Sequence, residues 1–152
     1  MSVADLLKSA RLHGSHVYHA VLDVARGLQY IHAQAILHRD LKCDNVMLTA
    51  DGVARVVDFG LARVKSSASS VATRGGGALR WRAPELFRDA PYTQACDVYS
   101  FAMLVVQLVS GAVPWIDLRS DEAVMMAVCF DKKPPSAQLP GDMNPTLRGV
   151  LE

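Results

Sequence analysis

The sequence predicts a mainly α-helical domain with one small β-hairpin, and three observations carry that reading. Val17, Val21, Val24, Leu28 and Ile31 recur at spacings of four and three, which puts them on one face of an α-helix. An apolar run from Val98 to Val113 is bracketed by Thr93, a helix-capping residue, and by Gly111 and Pro114, which stop a helix. Between these, Val46-Met47-Leu48 and Val53 to Val57 are short β-type runs separated by the turn residues Thr49-Ala50-Asp51-Gly52.

Taken in order, Ser2 with Asp5 three residues on has the form of a capping box, so a short helix opens the chain. Ser15 is placed to cap the second helix, which Gly27 weakens slightly. The hairpin follows Leu37. Lys65 to Gly77 is rich in Ser and Gly without periodicity and reads as a loop. The helix after Thr93 comes next, and Ser120-Asp121-Glu122 opens a last one that stops before Pro134-Pro135. The remaining stretch, rich in Pro and Gly, predicts little regular structure.

The 152 residues suffice for one domain with a core, and 51% hydrophobic with 20% charged residues is a globular composition. A net charge of +1 gives no reason to expect nucleic acid or an anionic membrane as partner. Cys43, Cys96 and Cys129 form no CxxC and no zinc-ligand spacing, which fits a reducing, cytoplasmic setting better than a disulfide framework. The first residues lack the apolar core of a signal peptide. Val98 to Val113 falls short of the roughly 18 residues of a spanning helix, so no membrane segment is expected.

The chemistry is concentrated in His38 to Gly60. Asn45 precedes the first strand of the hairpin and Asp58 follows the second, so both belong at one end of it. An amide oxygen beside a carboxylate is a hard oxygen site suited to Mg²⁺, with phosphate completing the shell. Asp40, five residues before Asn45, can take a proton from an attacking hydroxyl, and Lys42 supplies a point charge for a phosphate oxygen. Base, cation and metal ligands together describe phosphoryl transfer. Other features carry plainer readings. Cys43 is an inert thiol, Gly75-Gly76-Gly77 is a linker without the preceding strand of a phosphate loop, and His13, His16, His19 and His32 take surface or capping roles.

His38-Arg39-Asp40-Leu41-Lys42-Cys43-Asp44-Asn45 resembles the HRDLxxxN catalytic loop of eukaryotic protein kinases. Asp58-Phe59-Gly60 resembles the family's DFG, Ala83-Pro84-Glu85 its APE, and Asp97 the acid that starts its central buried helix. The resemblance covers essentially the whole chain but only the family's C-terminal lobe, so it implies a partial kinase domain over residues 1–152. Within it lie a catalytic loop at 38–45, an activation segment at 58–85 and a central helix at about 94–110. By the same resemblance Asp40 is the catalytic base, Lys42 meets the transferring phosphate, and Asn45 and Asp58 hold Mg²⁺. Met47 lies under the adenine of ATP. His38 and Phe59 pack in a regulatory spine, Arg39 reads a phosphate on the activation segment (Ser69, Ser70 or Thr73), and Asp97 braces the backbone of the catalytic loop. Lys42 resembles the serine/threonine kinases, and Trp81 before the APE resembles their tyrosine-kinase-like group. Protein substrates are implied.

The chain also departs from the family. No Gly-rich loop and no strand lysine precede the catalytic block, where Lys8 is the only lysine, so the N-lobe is read as absent and an N-lobe or another chain is expected to cover the cleft. Ala78 stands where serine/threonine kinases usually carry Thr. Glu85 lacks the family's C-terminal arginine and is expected to be poorly compensated, with Arg148 as a substitute. Weak or no activity of the chain alone follows. Two alternatives stay open: a non-catalytic binding module of this lobe, and a truncated product of a longer kinase gene.

Overall fold

The computed structural model describes residues 1–8, 15–59, 63–64, 79–131 and 135, with 8, 63 and 64 described by their backbone alone. Its first helix, α1 (Val3–Lys8), starts from the capping box read in the sequence. The Asp5 amide donates to Ser2 Oγ at 3.1 Å, and the Ser2 amide donates to Asp5 Oδ2 at 3.3 Å. The chain ahead of α1 runs along the hairpin: Ser2 bridges Met47, and the Leu48 amide donates to the Met1 carbonyl at 3.2 Å.

The second helix, α2 (Ser15–Ala33), buries Ala20, Val21, Val24, Leu28 and Ile31. Val17, also expected on that face, is partly buried at its edge. Ser15 is the first helical residue rather than the cap, a one-residue shift of the kind that fraying helix ends produce. Two contacts fix α2 against the hairpin. Asp23 Oδ2 accepts the Ala54 amide at 3.1 Å, and Gly27 brings the helix close to Val56.

The hairpin is β2 (Val46–Leu48) paired antiparallel with β3 (Ala54–Val56), Val46 opposite Val56. Its second strand is shorter than the Val53 to Val57 run predicts. Val53 belongs to the turn instead, where Thr49 holds its amide and its carbonyl at 3.0 and 2.9 Å. Gly52 sits at φ 83, a conformation that costs glycine little. The expectation of a single hairpin is incomplete. A second antiparallel pair joins β1 (Ile36–Leu37) to β4 (Arg63–Val64), Leu37 opposite Arg63. Strands of two residues are too short to leave a period in the sequence.

The third helix, α3 (Gln94–Ser110), is the centre of the core and buries Met103, Leu104, Val105, Val106 and Leu108. Thr93 and Cys96 form its capping box, and Gly111 ends it in the left-handed region at φ 71. Leu41, ahead of the hairpin, and Leu104 are 1% and 0% exposed, and each such burial stabilises by roughly 1.5–3 kcal/mol. The fourth helix, α4 (Asp121–Met126), is capped by Ser120 Oγ accepting the Ala123 amide at 3.2 Å, and runs into a wider helical turn over Ala127–Asp131. Among the described residues no helix is long and apolar enough to cross a membrane.

Candidate active site

Two local devices place the residues singled out in the sequence. Leu37 is held by the β1–β4 pair, so the chain leaves a fixed strand directly into His38, Arg39 and Asp40. A short 3-10 turn over Cys43–Asn45 then delivers Asn45 to the mouth of the hairpin. The two ends of the hairpin are tied there: the Val57 amide donates to the Asn45 carbonyl at 2.9 Å, which sets Asp58 next to Asn45 along the chain path. Asp58 and Arg39 take left-handed backbone angles, φ 63 and 73, and such angles in non-glycine residues mark strain held by the surrounding structure.

Asp40, Lys42 and Asn45 form one cluster. Lys42 Nζ lies 3.0 Å from Asp40 Oδ2. The Asn45 side-chain amide donates to the same oxygen at 2.9 Å and to the Asp40 carbonyl at 2.7 Å. Among the described residues no donor reaches Asp40 Oδ1, and the carboxylate is 15% exposed. Because Nδ2 of Asn45 is spent on Asp40, its oxygen is the side-chain atom left to accept a ligand. That oxygen, with the Asp58 carboxylate one peptide beyond the hairpin tie, is a donor set that fits Mg²⁺ completed by phosphate and water. Among the described residues no three His, Cys, Asp or Glu side chains gather into a site that would hold a metal by protein alone.

Beneath the cluster lies Asp97, fully buried. Its Oδ2 accepts the His38 amide at 2.9 Å and His32 Nε2 at 2.8 Å; its Oδ1 accepts the Arg39 amide at 3.0 Å and the Tyr92 hydroxyl at 2.8 Å. Four donors on one buried carboxylate meet the requirement that buried charge be fully hydrogen-bonded. His38, 0% exposed, joins the two halves of the site. Its Nε2 lies 3.2 Å from the Val57 carbonyl, and its Nδ1 accepts the Asp40 amide at 3.3 Å, so the tautomer with the proton on Nε2 satisfies both. Its ring tilts against Phe59 at 5.3 Å between centroids, and Phe59 is 47% exposed. Met47 is partly buried on the hairpin.

His32 and Tyr92 are functional-site residues that the sequence reading missed. His32 was expected in a surface or capping role and instead donates to Asp97 across 65 residues of chain. The only available signal was its place one residue after Ile31, at the edge of the buried face of α2. Cys43 is buried and donates weakly to the Leu104 carbonyl at 3.8 Å; burial, then the charge of Asp44, push its thiol well above the usual range, which suits an inert cysteine. Glu85, expected to be poorly compensated, is partly buried, and its Oε1 accepts the Cys96 thiol at 3.3 Å. Ser69, Ser70, Thr73, Ala78, the Gly75–Gly77 run and Arg148 lie outside the described residues.

Comparison with known proteins shows the family to which the chain belongs. The protein kinase domain family matches residues 1–145. The chain is 37% identical over 131 residues to the serine/threonine-protein kinase STY17 of Arabidopsis thaliana, covering 86% of this chain and 22% of the relative. It is 32% identical over 136 residues to the serine/threonine/tyrosine-protein kinase HT1 of the same plant, covering 90% and 34%. To the human serine/threonine-protein kinase PAK 4 it is 29% identical over 151 residues, covering 99% and 25%. The chain thus spans between about a fifth and about a third of the length of these relatives, and it belongs to the protein kinase family.

Proposed function

We propose that this chain supplies the catalytic, C-terminal lobe of an ATP- and Mg²⁺-dependent serine/threonine protein kinase of the tyrosine-kinase-like group. The observation that carries the reading is the joining of Asp40, Lys42 and Asn45 into one cluster at the end of the hairpin that leads into Asp58. Asp40 Oδ1 accepts the proton of a substrate hydroxyl, and Oδ2, held by Asn45 and Lys42, keeps the carboxylate aimed. Lys42 turns from Asp40 to the incoming phosphoryl oxygens. Asn45 and Asp58 hold Mg²⁺, which when bound neutralises charge developing on the phosphates. Met47 underlies the adenine, and His38 and Phe59 belong to the packing column that keeps the site aligned. Arg39 reads a phosphate at Ser69, Ser70 or Thr73, where new charge-assisted hydrogen bonds order the segment. An N-lobe, or another chain, covers the cleft, and the substrates are cytoplasmic proteins.

The test is a comparison of parent and Asp40→Asn in the longest natural polypeptide that carries this chain. Asp40→Asn is expected to lose phosphotransfer to Ser or Thr by at least about 100-fold while nucleotide affinity stays near that of the parent. Equal transfer by the two proteins overturns the reading. A second reading, a non-catalytic binding module, rests on Ala78 in place of the usual Thr. It is favoured if the parent itself transfers no phosphate yet retains a protein ligand.

A further inference from the structure

Tyr92 belongs to none of the elements from which the phosphotransfer reading was built. Yet it touches both parts of the site that must act together. Its hydroxyl donates to Asp97 Oδ1 at 2.8 Å, the same oxygen that accepts the Arg39 amide at 3.0 Å. Its ring lies under the Arg39 guanidinium, 5.3 Å from Cζ to the centroid. Arg39 itself is held at φ 73, and its Nε is buried with no hydrogen-bond partner among the described residues. An Arg in a strained backbone, with a buried and unpaired N–H, needs something else to fix its side chain. The face of Tyr92 is the contact that does so.

We infer that Tyr92 is a positioning residue that couples Arg39 to the base: its ring pre-orients the guanidinium, and its hydroxyl transmits that placement through Asp97 to the backbone that carries Asp40. The geometry gives the direction of the coupling. A guanidinium held over the ring by cation–π attraction can still turn its terminal Nη–H groups to a phosphate, while its Nε stays buried. The hydroxyl stays a donor throughout the physiological span, because burial and then the charge of Asp97 push the Tyr92 phenol above its usual range. The inference rests on the phosphotransfer reading for its consequence, but not for its geometry.

Two variants separate the arms. Tyr92→Phe keeps the ring and removes the hydroxyl; Tyr92→Leu removes both. The first readout is hydrogen exchange of the Arg39 Nε–H and of the His38 and Arg39 amides by NMR. In Tyr92→Leu the Nε–H is expected to exchange about tenfold faster than in the parent, for loss of the stacking contact. In Tyr92→Phe it should stay protected, while the Arg39 amide loses protection by about two- to tenfold, because the Asp97 carboxylate that accepts it is no longer held in place by the Tyr92 hydroxyl. An Nε–H equally protected in Tyr92→Leu and parent overturns the inference, as does an Arg39 amide untouched in Tyr92→Phe. The second readout is kinetic, in a polypeptide competent for transfer. Tyr92→Phe should lower kcat with KM for ATP unchanged and keep its activation by phosphate in the 58–85 segment. Tyr92→Leu should lose most of that activation. A uniform loss that scales with the fall in Tm, and spares the response to phosphate in both variants, would mean that Tyr92 only packs. If the parent transfers no phosphate, the kinase reading falls, and the exchange measurements alone decide the role of Tyr92. Should Tyr92→Leu fail to fold, the Tyr92→Phe amide measurement still decides the hydroxyl arm and Arg39→Lys, which keeps the charge without the planar stack, replaces it for the ring arm.

Discussion

Two carboxylates of this chain have opposite duties, and substitutions at the scale of single residues should separate them. Asp97 is fully buried and takes two backbone amides and two side-chain donors. Asp97→Ala leaves the His38 and Arg39 amides without an acceptor, and each orphaned buried donor costs about 1–3 kcal/mol. A loss of roughly 3–5 kcal/mol in unfolding free energy is expected, measured by urea titration, which is a large part of the typical 5–15 kcal/mol. Asp40 is different. Its Lys42 partner sits 3.0 Å away with both side chains reaching solvent, so Asp40→Asn should cost under about 1 kcal/mol of stability while removing the proposed base. A Cm for Asp97→Ala within error of the parent would show the network to be dispensable; a large drop for Asp40→Asn would make that carboxylate structural.

Among the elements, α2 and its contact with the hairpin offer a clean test, because a helix-interior glycine is weak only if nothing requires it. A Cβ built on Gly27 meets Val56 Cγ2 at 3.5 Å, an ordinary van der Waals distance, and Gly27 does not need a positive φ. Gly27→Ala should therefore stabilise by about 0.5–1 kcal/mol, seen as a higher Tm, and Ser120→Ala should cost about 1 kcal/mol through the lost cap on α4. A lower Tm for Gly27→Ala would mean that the helix–hairpin spacing has no slack. These elements also divide what the sequence disclosed from what it hid. Caps and stops at Ser2, Thr93, Gly111 and Ser120 act within three or four residues, so their signals are local and were readable. That the residues flanking the hairpin, Asn45 and Asp58, share one end of it was readable too, because a hairpin fixes its own ends, and the Val57 amide on the Asn45 carbonyl is the bond that does so. His32 and Tyr92 were not, since their contacts with Asp97 depend on how α2 and the chain ahead of α3 pack, and one polar residue has no period. The β1–β4 pair was hidden for a related reason: two residues per strand, 26 positions apart at Leu37 and Arg63, carry no pattern of their own.

For the whole molecule, the distribution of buried weak acids predicts lability at alkaline pH. Cys43, Cys96 and Cys129 are all free thiols in the core, and burial is the first cause that raises each of them above 9.0. Burial likewise raises Tyr92, and pushes Tyr99 up from 10.0 to about 12. These groups are neutral when protonated, so in the window between unfolded and folded values the folded chain binds more protons than the unfolded one. Stability is then full below about pH 9 and falls as pH rises, by up to about 1.4 kcal/mol per unit for each group wholly titrated in the unfolded chain alone. Among the described residues, the two carboxyls held low, Asp51 and Glu122, are lowered chiefly by hydrogen bonds at an exposed turn and an exposed helix start. Urea midpoints at pH 8 and 10.5 should therefore differ markedly, with Cys43 alone responsible for about 2 kcal/mol of the change, since its thiol is fully buried and its folded value lies beyond that window. Cys43→Ala loses a little packing at both pH values but should flatten the slope between them. A slope as steep in Cys43→Ala as in the parent would place the alkaline sensitivity on the other buried thiols and the tyrosines instead.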